Sequence, residues 1–217
     1  SNLPHMLPKK DMWEKIMSSN GISNNDKIVV YDNSKVLSSC RLWYMLLYFG
    51  HSKKLVSVLN GGLEKWKKNN FPITEDHTKL KMTNYKAYEN KFMVKNLDEI
   101  DKNIENKVFS LVDARSKDRF EGKTKEPREG VRSGSIKNSI CIPFNNVIKD
   151  DKTFKDKEEL KVIFNNIISD IDNNNVVFSC GSGITSCVLA LAYSLINNNY
   201  NPTIYDGSWA EYGKIFK

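Results

Sequence analysis

The chain has 217 residues, 40% of them hydrophobic and 27% charged, which is the usual balance of a globular protein with one or two domains. No apolar run approaches the roughly 20 residues that span a bilayer, and the first residues, SNLPHMLPKK, contain no apolar core of a signal peptide. The net charge of +7 comes from lysines scattered among acids and asparagines. We therefore expect a solvated surface that attracts anionic substrates, and no nucleic-acid binding.

The first third of the chain contains one strand–helix–strand pattern. A helix pattern covers Lys10 to Met17, and Ile28 to Tyr31 form a short apolar run typical of a buried strand. Residues 40–49 are hydrophobic nearly all round, as expected of a helix packed on a sheet. Residues 55–66 then read as a second strand and a turn.

The second half begins with a further apolar run, Phe109 to Asp113, which predicts another buried strand. A polar loop rich in arginine, lysine, glycine and glutamate follows at residues 114–135. Residues 136–144 lead into a short strand, and residues 156–171 have the pattern of an amphipathic helix.

The end of the chain repeats the pattern of its beginning. Val176 to Phe178 predict a buried strand, residues 185–196 an apolar helix, and residues 201–212 a strand and a turn. The turn at Asn60 to Leu63 matches the turn at Asp206 to Trp209. This internal repeat predicts an α/β fold with parallel strands.

We expect a partial first domain at residues 1–73, a polar linker at residues 74–90 and a complete second domain at residues 91–217. The first copy has no counterpart of the strand at residues 109–113, and a parallel sheet needs such a strand in its interior. The expectation is therefore that the native chain continues upstream.

The chain contains four cysteines, none of them in a Cys-x-x-Cys pair or beside a histidine cluster, so we expect no metal site. The number is also too small for a secreted disulfide scaffold, and a reducing compartment is the expectation. We interpret Cys40, Cys141 and Cys187 as packing residues.

Cys180 differs, because it lies directly after a buried strand and before a helix. The loop residues Gly181, Ser182 and Gly183 allow backbone N–H groups to turn inward and form an anion-binding nest. A lone cysteine at a strand end is usually a small buried hydrophobe. Here the combination of strand, glycines and helix favours an activated nucleophile.

The loop CGSGITSC resembles the active loop of the rhodanese family of two-domain sulfurtransferases, in its 3-mercaptopyruvate branch. The thiosulfate branch typically has basic residues directly after the cysteine, where this chain has Gly181 and Ser182. Further matching stretches are HMLP at 5–8, SVLNGGLEKW at 57–66, LVDAR at 111–115, GSIKNSICIPF at 134–144 and IYDGSW at 204–209.

Three alternatives remain beside this interpretation. Dual-specificity phosphatases need an arginine six residues after the cysteine, and Ser186 stands there, which counts against a phosphatase. A thiosulfate:cyanide sulfurtransferase would use the same loop with another donor. A non-catalytic rhodanese-like binding module would carry no sulfur on Cys180.

The resemblance implies two rhodanese-like domains, each a parallel sheet flanked by helices, with the first one truncated. It implies that Cys180 takes sulfur from 3-mercaptopyruvate as a persulfide, releases pyruvate and passes the sulfur to a thiol such as thioredoxin, or to cyanide. Arg119 and Arg128 match the positions that bind the substrate carboxylate and carbonyl. The residues expected to cradle the persulfide are Gly181, Gly183, Ile184 and Thr185.

The resemblance also implies a proton relay in which Ser182 is the serine and His5 the histidine, reaching across from the first domain. The aspartate of that relay would lie upstream of this chain. The first domain is expected to be catalytically silent, because Asp32 stands where the second copy has Cys180. No cofactor and no membrane partner are expected, and the compartment is expected to be the cytoplasm or the mitochondrion.

Overall fold

The computed structural model divides the chain into two compact units. The residues that it describes are 2–166, 168 and 175–214. The smaller unit consists of residues 7–91 and 151–153. The larger unit lies within residues 1–6, 92–150 and 154–217.

The smaller unit has one short parallel sheet with helices. Its elements are α1 (Lys10–Ser19), β1 (Ile28–Val30), α2 (Ser39–Tyr48), β2 (Val56–Val58) and α3 (Gly62–Lys68), with a 3-10 turn at Lys53–Leu55. β1 pairs in parallel with β2, with Val30 opposite Val58. Trp13 of α1 stacks on Phe49 at the end of α2, with 4.8 Å between the ring centroids, so aromatic packing joins the two helices.

Residues 71–90 contain neither helix nor strand, but part of this segment is buried on the smaller unit. Tyr85 and Ala87 are each 1% exposed. The Tyr85 N–H donates to Ser18 Oγ at 2.9 Å, and the Ala87 N–H donates to Glu14 Oε1 at 2.8 Å. Side chains of α1 thereby satisfy backbone groups that have no partner in a sheet.

The larger unit contains a five-stranded parallel sheet in the order β3-β7-β6-β4-β5. Its strands are β3 (Val94–Lys95), β4 (Ser110–Asp113), β5 (Ile140–Cys141), β6 (Val176–Ser179) and β7 (Ile204–Tyr205). Its helices are α4 (Leu97–Asn106), α5 (Lys117–Phe120), α6 (Lys157–Asn165), α7 (Ser186–Ile196) and α8 (Ser208–Tyr212). A 3-10 turn covers Phe144–Val147, and another, at Lys91–Met93, begins at the last residue of the segment 7–91. The α/β class with parallel sheets flanked by helices is confirmed.

The middle strand β6 and the helix α7 form the centre of this unit. All four residues of β6 are buried, and so are the nine residues of α7 from Ser186 to Ser194. Phe164 of α6 packs edge-on against Tyr193 of α7, with 5.2 Å between centroids. α7 is apolar nearly all round because it has no solvent-facing side along most of its length.

The predicted internal repeat is confirmed as β1–α2–β2–α3 in one unit and β6–α7–β7–α8 in the other. The two copies agree in detail. The Leu63 N–H donates to the Asp32 carbonyl at 2.9 Å, and the Trp209 N–H donates to the Cys180 carbonyl at the same distance. Asp32 and Cys180 therefore occupy equivalent places.

Five elements were not predicted: β3, α3, α4, α5 and α8. α3 and α8 are short helices of seven and five residues, and they stand where the sequence indicated turns after β2 and β7. Because α5 lies inside the segment expected to be a polar loop, Arg119 is part of a short helix. The helix predicted for residues 156–171 ends at Asn165, and residues 167 and 169–171 lie outside the described residues.

Candidate active site

Cys180 follows the last residue of β6, at the carboxyl edge of the sheet of the larger unit. Open parallel sheets present ligand-binding loops at this edge. The cysteine is buried, with 2% of its surface exposed. Arg119, which also contributes to this site, keeps 27% of its side chain exposed. The solvent-facing part of the site is therefore at the arginine rather than at the sulfur.

The loop after Cys180 directs a backbone N–H at the sulfur. The Gly183 N–H donates to Cys180 Sγ at 3.1 Å, and Ser186 Oγ lies 3.7 Å from the same atom. Gly183 has φ +81°, which side-chain-bearing residues rarely adopt, so a glycine is needed for this turn. This arrangement is an anion nest that opens directly onto the Cys180 sulfur.

The pKa of Cys180 reflects two opposing effects. Burial is the larger single influence and raises the pKa of the thiol, because it disfavours the charged form. Hydrogen bonds from the Thr185 side chain and from Ser182 and Ser186 together outweigh burial, and the pKa of the thiol falls below its ordinary value. A thiolate stabilised in this way is the nucleophilic form of cysteine.

Backbone donors on α8 hold the carbonyl groups of the loop. The Trp209 N–H donates to the Cys180 carbonyl and the Ala210 N–H donates to the Gly181 carbonyl, both at 2.9 Å. Because these carbonyl oxygens are bound to α8, their negative ends do not face the sulfur. The loop thus presents donors to Cys180 and its acceptors to α8.

The structure brings Arg119 and Arg128 together over Gly181. A methyl group at Gly181 would lie 3.0 Å from Arg119 Nη2 and 3.5 Å from Arg128 Nη1, so glycine leaves room for both guanidinium groups next to Cys180. Two planar cations beside a nucleophile form a site for a small anion. The Arg128 side chain also donates to Ser182 Oγ at 2.9 Å.

Glu126 holds Arg119 and was not singled out from the sequence. Arg119 donates from Nε to one oxygen of Glu126 at 3.1 Å and from Nη2 to the other at 2.5 Å. Glu126 also accepts from Arg115 Nη1 at 2.8 Å, and only 1% of the Glu126 side chain is exposed. The sequence contains no specific signal for it, because Asp118, Glu121 and Glu129 lie in the same segment.

Arg115 has a structural role in the larger unit. Its guanidinium is fully buried, donates to Asp113 Oδ2 at 2.7 Å and lies 4.5 Å from the ring centroid of Trp209. Burial lowers the pKa of Arg115, but the adjacent carboxylates of Asp113 and Glu126 outweigh burial and raise it. Arg115 is therefore charged and anchors Glu126 from its far side.

The two residues expected in the proton relay are in contact. His5 Nδ1 and Ser182 Oγ are 2.9 Å apart, although they are separated by 177 positions in the chain. Ser182 is 6% exposed, while His5 is on the surface and has φ +61°. Residues 2–6 belong to the larger unit rather than to the smaller one, so the histidine and serine lie in the same unit.

The other members of the expected persulfide loop surround the thiol or follow it. Thr185 directly precedes α7, and its side chain hydrogen-bonds to the Cys180 thiol. Ile184 is half-buried.

The other cysteines are unreactive by position or by pKa. Cys40 and Cys187 are completely buried. Burial raises the pKa of Cys141 to about 11, with a further contribution from Asp113, which leaves this cysteine protonated at neutral pH.

The equivalent loop of the smaller unit carries a carboxylate in place of the thiol. Asp32 Oδ2 accepts from Ser34 Oγ at 2.9 Å, from Ser38 Oγ at 2.8 Å and from the Ser39 N–H at 2.8 Å. The nest therefore already holds an anion that belongs to the protein.

Among residues 2–166, 168 and 175–214, no three His, Cys, Asp or Glu side chains are grouped so that they could hold a metal ion. The helices of this part of the chain are all too short or too polar to cross a bilayer.

Comparisons with known proteins agree on one family. The model of the rhodanese-like domain matches residues 2–69 and 96–214. A mitochondrial thiosulfate/3-mercaptopyruvate sulfurtransferase of Arabidopsis thaliana is 35% identical over 98% of this chain and 60% of its own length. The thiosulfate sulfurtransferase of Bos taurus is 36% identical over 95% of this chain and 69% of its own length. The chain thus spans 60% to 69% of the length of these relatives.

A solved structure shows the same fold. The crystal structure of SseA from Escherichia coli, described as a rhodanese fold of 3-mercaptopyruvate sulfotransferases, superposes with a TM-score of 0.81 and 30% identity. The superposition covers 96% of this chain and 76% of SseA. The similarity therefore extends across nearly the whole chain described here.

Proposed function

This chain belongs to the rhodanese-like family, and from that membership we propose that it is a sulfurtransferase that takes sulfane sulfur from 3-mercaptopyruvate onto Cys180. The observation that carries the proposal is the contact of Cys180 Sγ with the Gly183 N–H, beside two guanidinium groups. A buried thiol with a lowered pKa and a cationic entrance suits attack on an anionic sulfur donor.

In the first half-reaction, the Cys180 thiolate attacks the donor sulfur. A sulfur–sulfur bond forms, the carbon–sulfur bond breaks, and its electron pair moves onto the three-carbon acid as an enolate. Arg119 and Arg128 bind the carboxylate and carbonyl oxygens and stabilise that developing charge. His5 takes the proton of the donor thiol and delivers it through Ser182 to the enolate, which becomes pyruvate, while Cys180 keeps an anionic persulfide.

In the second half-reaction, an acceptor thiolate attacks the outer sulfur of the persulfide, and the Cys180 thiolate leaves. Thioredoxin is the acceptor that we propose, and cyanide would serve in the test tube. The persulfide is an anion, so the donors that stabilise the thiolate, including Thr185 and the Gly183 N–H, would also stabilise it. Gly181 and Ile184 complete the loop around it.

The repeat in the smaller unit has no catalytic role in this proposal. Asp32 cannot carry sulfane sulfur, and its carboxylate already uses three donors of its own loop. We accordingly assign catalysis to the second domain, residues 91–217, together with His5. The rest of the first domain, residues 1–73, has a silent role, and residues 74–90 link the two.

The cytoplasm is the compartment that we propose, because the chemistry needs a free thiol and reducing compartments preserve one. The mitochondrion, which the name of the Arabidopsis thaliana relative specifies, meets the same requirement.

Thiosulfate is the second candidate donor, and the name of the Bos taurus relative favours it. Gly181 and Ser182 favour mercaptopyruvate, because thiosulfate is a dianion that would gain from basic residues at these places. Comparing kcat/KM for the two donors at equal ionic strength separates the two functions.

The decisive experiment treats the protein with each donor and follows pyruvate release together with the intact mass. With 3-mercaptopyruvate we expect one added sulfur atom and one pyruvate per chain, whereas sulfur taken from thiosulfate would release sulfite and no pyruvate. Cys180→Ser should gain no sulfur from either donor and release no pyruvate. Cys141→Ser is the matched control and should behave as the parent does, because the raised pKa of Cys141 keeps it protonated. Pyruvate release by Cys180→Ser would refute the mechanism, and a parent that gains no sulfur would indicate a binding module.

A further inference from the structure

Ser208, the first residue of α8, has a backbone conformation that is unfavourable for serine. Its φ is +51°, in the left-handed region that glycine adopts most easily, and it is completely buried. Side-chain-bearing residues in this conformation concentrate at functional sites, where the surrounding structure compensates for the strain. A specific contact should therefore explain the serine.

The hydroxyl group of Ser208 has that contact with the nucleophile. The Cys180 N–H donates to Ser208 Oγ at 3.2 Å, and Ser208 Oγ donates to the Tyr205 carbonyl at 2.8 Å. Cys180 is the first residue after β6, where the hydrogen bonding of the sheet ends. The hydroxyl therefore supplies the partner that the Cys180 N–H no longer finds in the sheet.

The hydroxyl adds a third attachment to a loop already held by α8. The Trp209 and Ala210 N–H groups bind the carbonyls of Cys180 and Gly181. With Ser208 included, the N–H and the carbonyl of the nucleophile are both fixed. Both peptide planes that flank Cys180 then have a set direction, and this direction aims Sγ at the Gly183 N–H.

The silent repeat is an internal control for this interpretation. Gly62 stands at the equivalent place with φ +60°, and the following Leu63 N–H binds the Asp32 carbonyl at 2.9 Å. A Cβ atom at Gly62 would lie 2.7 Å from that carbonyl oxygen. The silent copy thus has the same backbone turn without strain and without a hydroxyl, whereas the copy with the cysteine has a strained serine.

We propose that Ser208 is a positioning residue for the nucleophile: its hydroxyl fixes the Cys180 amide and so holds the sulfur in the nest. The inference rests on the proposed function for its meaning, but it can be tested on the thiol alone. Ser208 does not contact the substrate in this scheme, so donor binding is left to Arg119 and Arg128.

The test uses Ser208→Gly, which removes the hydroxyl and relieves the strained φ, and Ser208→Ala, which removes the hydroxyl and keeps the strain. Lys107→Gly is the matched control, because Lys107 has φ +50° on the surface at the end of α4. The measurements are the pH dependence of Cys180 alkylation by iodoacetamide, the single-turnover rate of persulfide formation and the melting temperature.

For both Ser208 variants we expect the alkylation profile to move to higher pH and persulfide formation at saturating donor to slow by about tenfold, with donor KM unchanged. Ser208→Gly should melt higher than Ser208→Ala, and Lys107→Gly should keep the parent profile. Profiles and rates that superpose on the parent in both variants would overturn the proposal, as would losses that follow the unfolded fraction alone. A parent that forms no persulfide would refute the proposed function instead, while the alkylation profile would still test Ser208.

Discussion

At the scale of single residues, the guanidinium of Arg119 is not free to turn, because Glu126 binds two of its nitrogen atoms. Glu126 in turn is fixed by Arg115, which Asp113 and the Trp209 ring hold in the core. Positive and negative side chains alternate in this series of ion pairs, so each buried carboxylate or guanidinium in the series has a partner of opposite charge. Asp113 belongs to β4, so these ion pairs connect the Arg119 side chain to a rigid strand of the sheet.

Glu126→Gln should weaken donor binding more than the chemistry. An amide cannot neutralise either arginine, and the hydrogen bonds lost to charged groups are worth about 1.5–3 kcal/mol, or roughly tenfold to a hundredfold in donor KM. The pH profile of Cys180 alkylation should stay that of the parent. Steady-state kinetics with mercaptopyruvate would measure this split between KM and kcat.

Glu121→Gln is the control for this change, because Glu121 is an exposed acid of the same segment and pairs with Lys123. It should leave KM within a factor of two, as surface ion pairs contribute little. An unchanged KM in Glu126→Gln would mean that Arg119 is oriented by other contacts or does not bind the donor.

The sequence was sufficient to predict Cys180 and its loop, because their neighbours in the chain are also their neighbours in space. Glu126 and Ser208 were not predicted for the opposite reason. Ser208 is 28 positions from the amide that it binds, and Glu126 lies in a segment whose composition is that of a solvated loop. Only the fold turns these two polar residues into parts of the site.

At the scale of elements, the sequence predicted helices and strands most accurately where the element is completely buried. β6 and α7 were predicted within one residue, because apolar runs bounded by polar loops mark elements buried on all sides. β3 has only two residues, and α5 only four. Neither element is long enough to show a period. α4 was missed although its apolar residues Leu97, Ile100 and Ile104 have helical spacing, because these are the only apolar residues among its ten.

The missed helix α4 has a start signal in the sequence. Asn96 accepts from the Glu99 N–H at 3.0 Å and Glu99 accepts from the Asn96 N–H at 3.0 Å, a reciprocal capping box. Asn96→Ala removes the first of these bonds, and we expect the free energy of unfolding to fall by about 1 kcal/mol. Urea denaturation would measure the loss.

Asn106→Ala, at the exposed last position of the same helix, is the matched control and should not destabilise the protein, because alanine is the better helix former. Both variants should retain the donor kinetics of the parent. Equal stability of Asn96→Ala and the parent would show that packing of Ile100 alone maintains the helix.

At the scale of the whole molecule, the α/β class and the internal repeat were predictable, because both are periodic in the sequence. Which residues belong to which of the two units was not predictable. Residues 2–6 join the larger unit and residues 151–153 join the smaller one, where Asp151 pairs with Lys65 at 2.8 Å. Such exchanges depend on contacts between distant positions, and local patterns contain no information about them.

The net charge of +7 is a property of the whole molecule that should affect the site. A positive field concentrates anionic reagents around the protein, and salt screens that field over about 10 Å at 0.1 M and about 3 Å at 1 M. Cys180 should therefore react with anionic iodoacetate several-fold faster, relative to neutral iodoacetamide, at low salt than at 0.5 M salt. The ratio of the two alkylation rates cancels any effect of salt on the thiolate itself.

The same ratio separates the distant charges from the two arginines of the site. Arg128→Gln should lower it at every salt concentration, because that guanidinium is partly buried next to Gly181, and salt screens partly buried charges much less than exposed ones. A pair of exposed lysines changed to glutamine, Lys67 and Lys68 of α3, should reduce only the part that salt removes. If neither salt nor Arg128→Gln changes the ratio of the two alkylation rates, then neither the distant nor the local positive charge selects the reagents that reach Cys180.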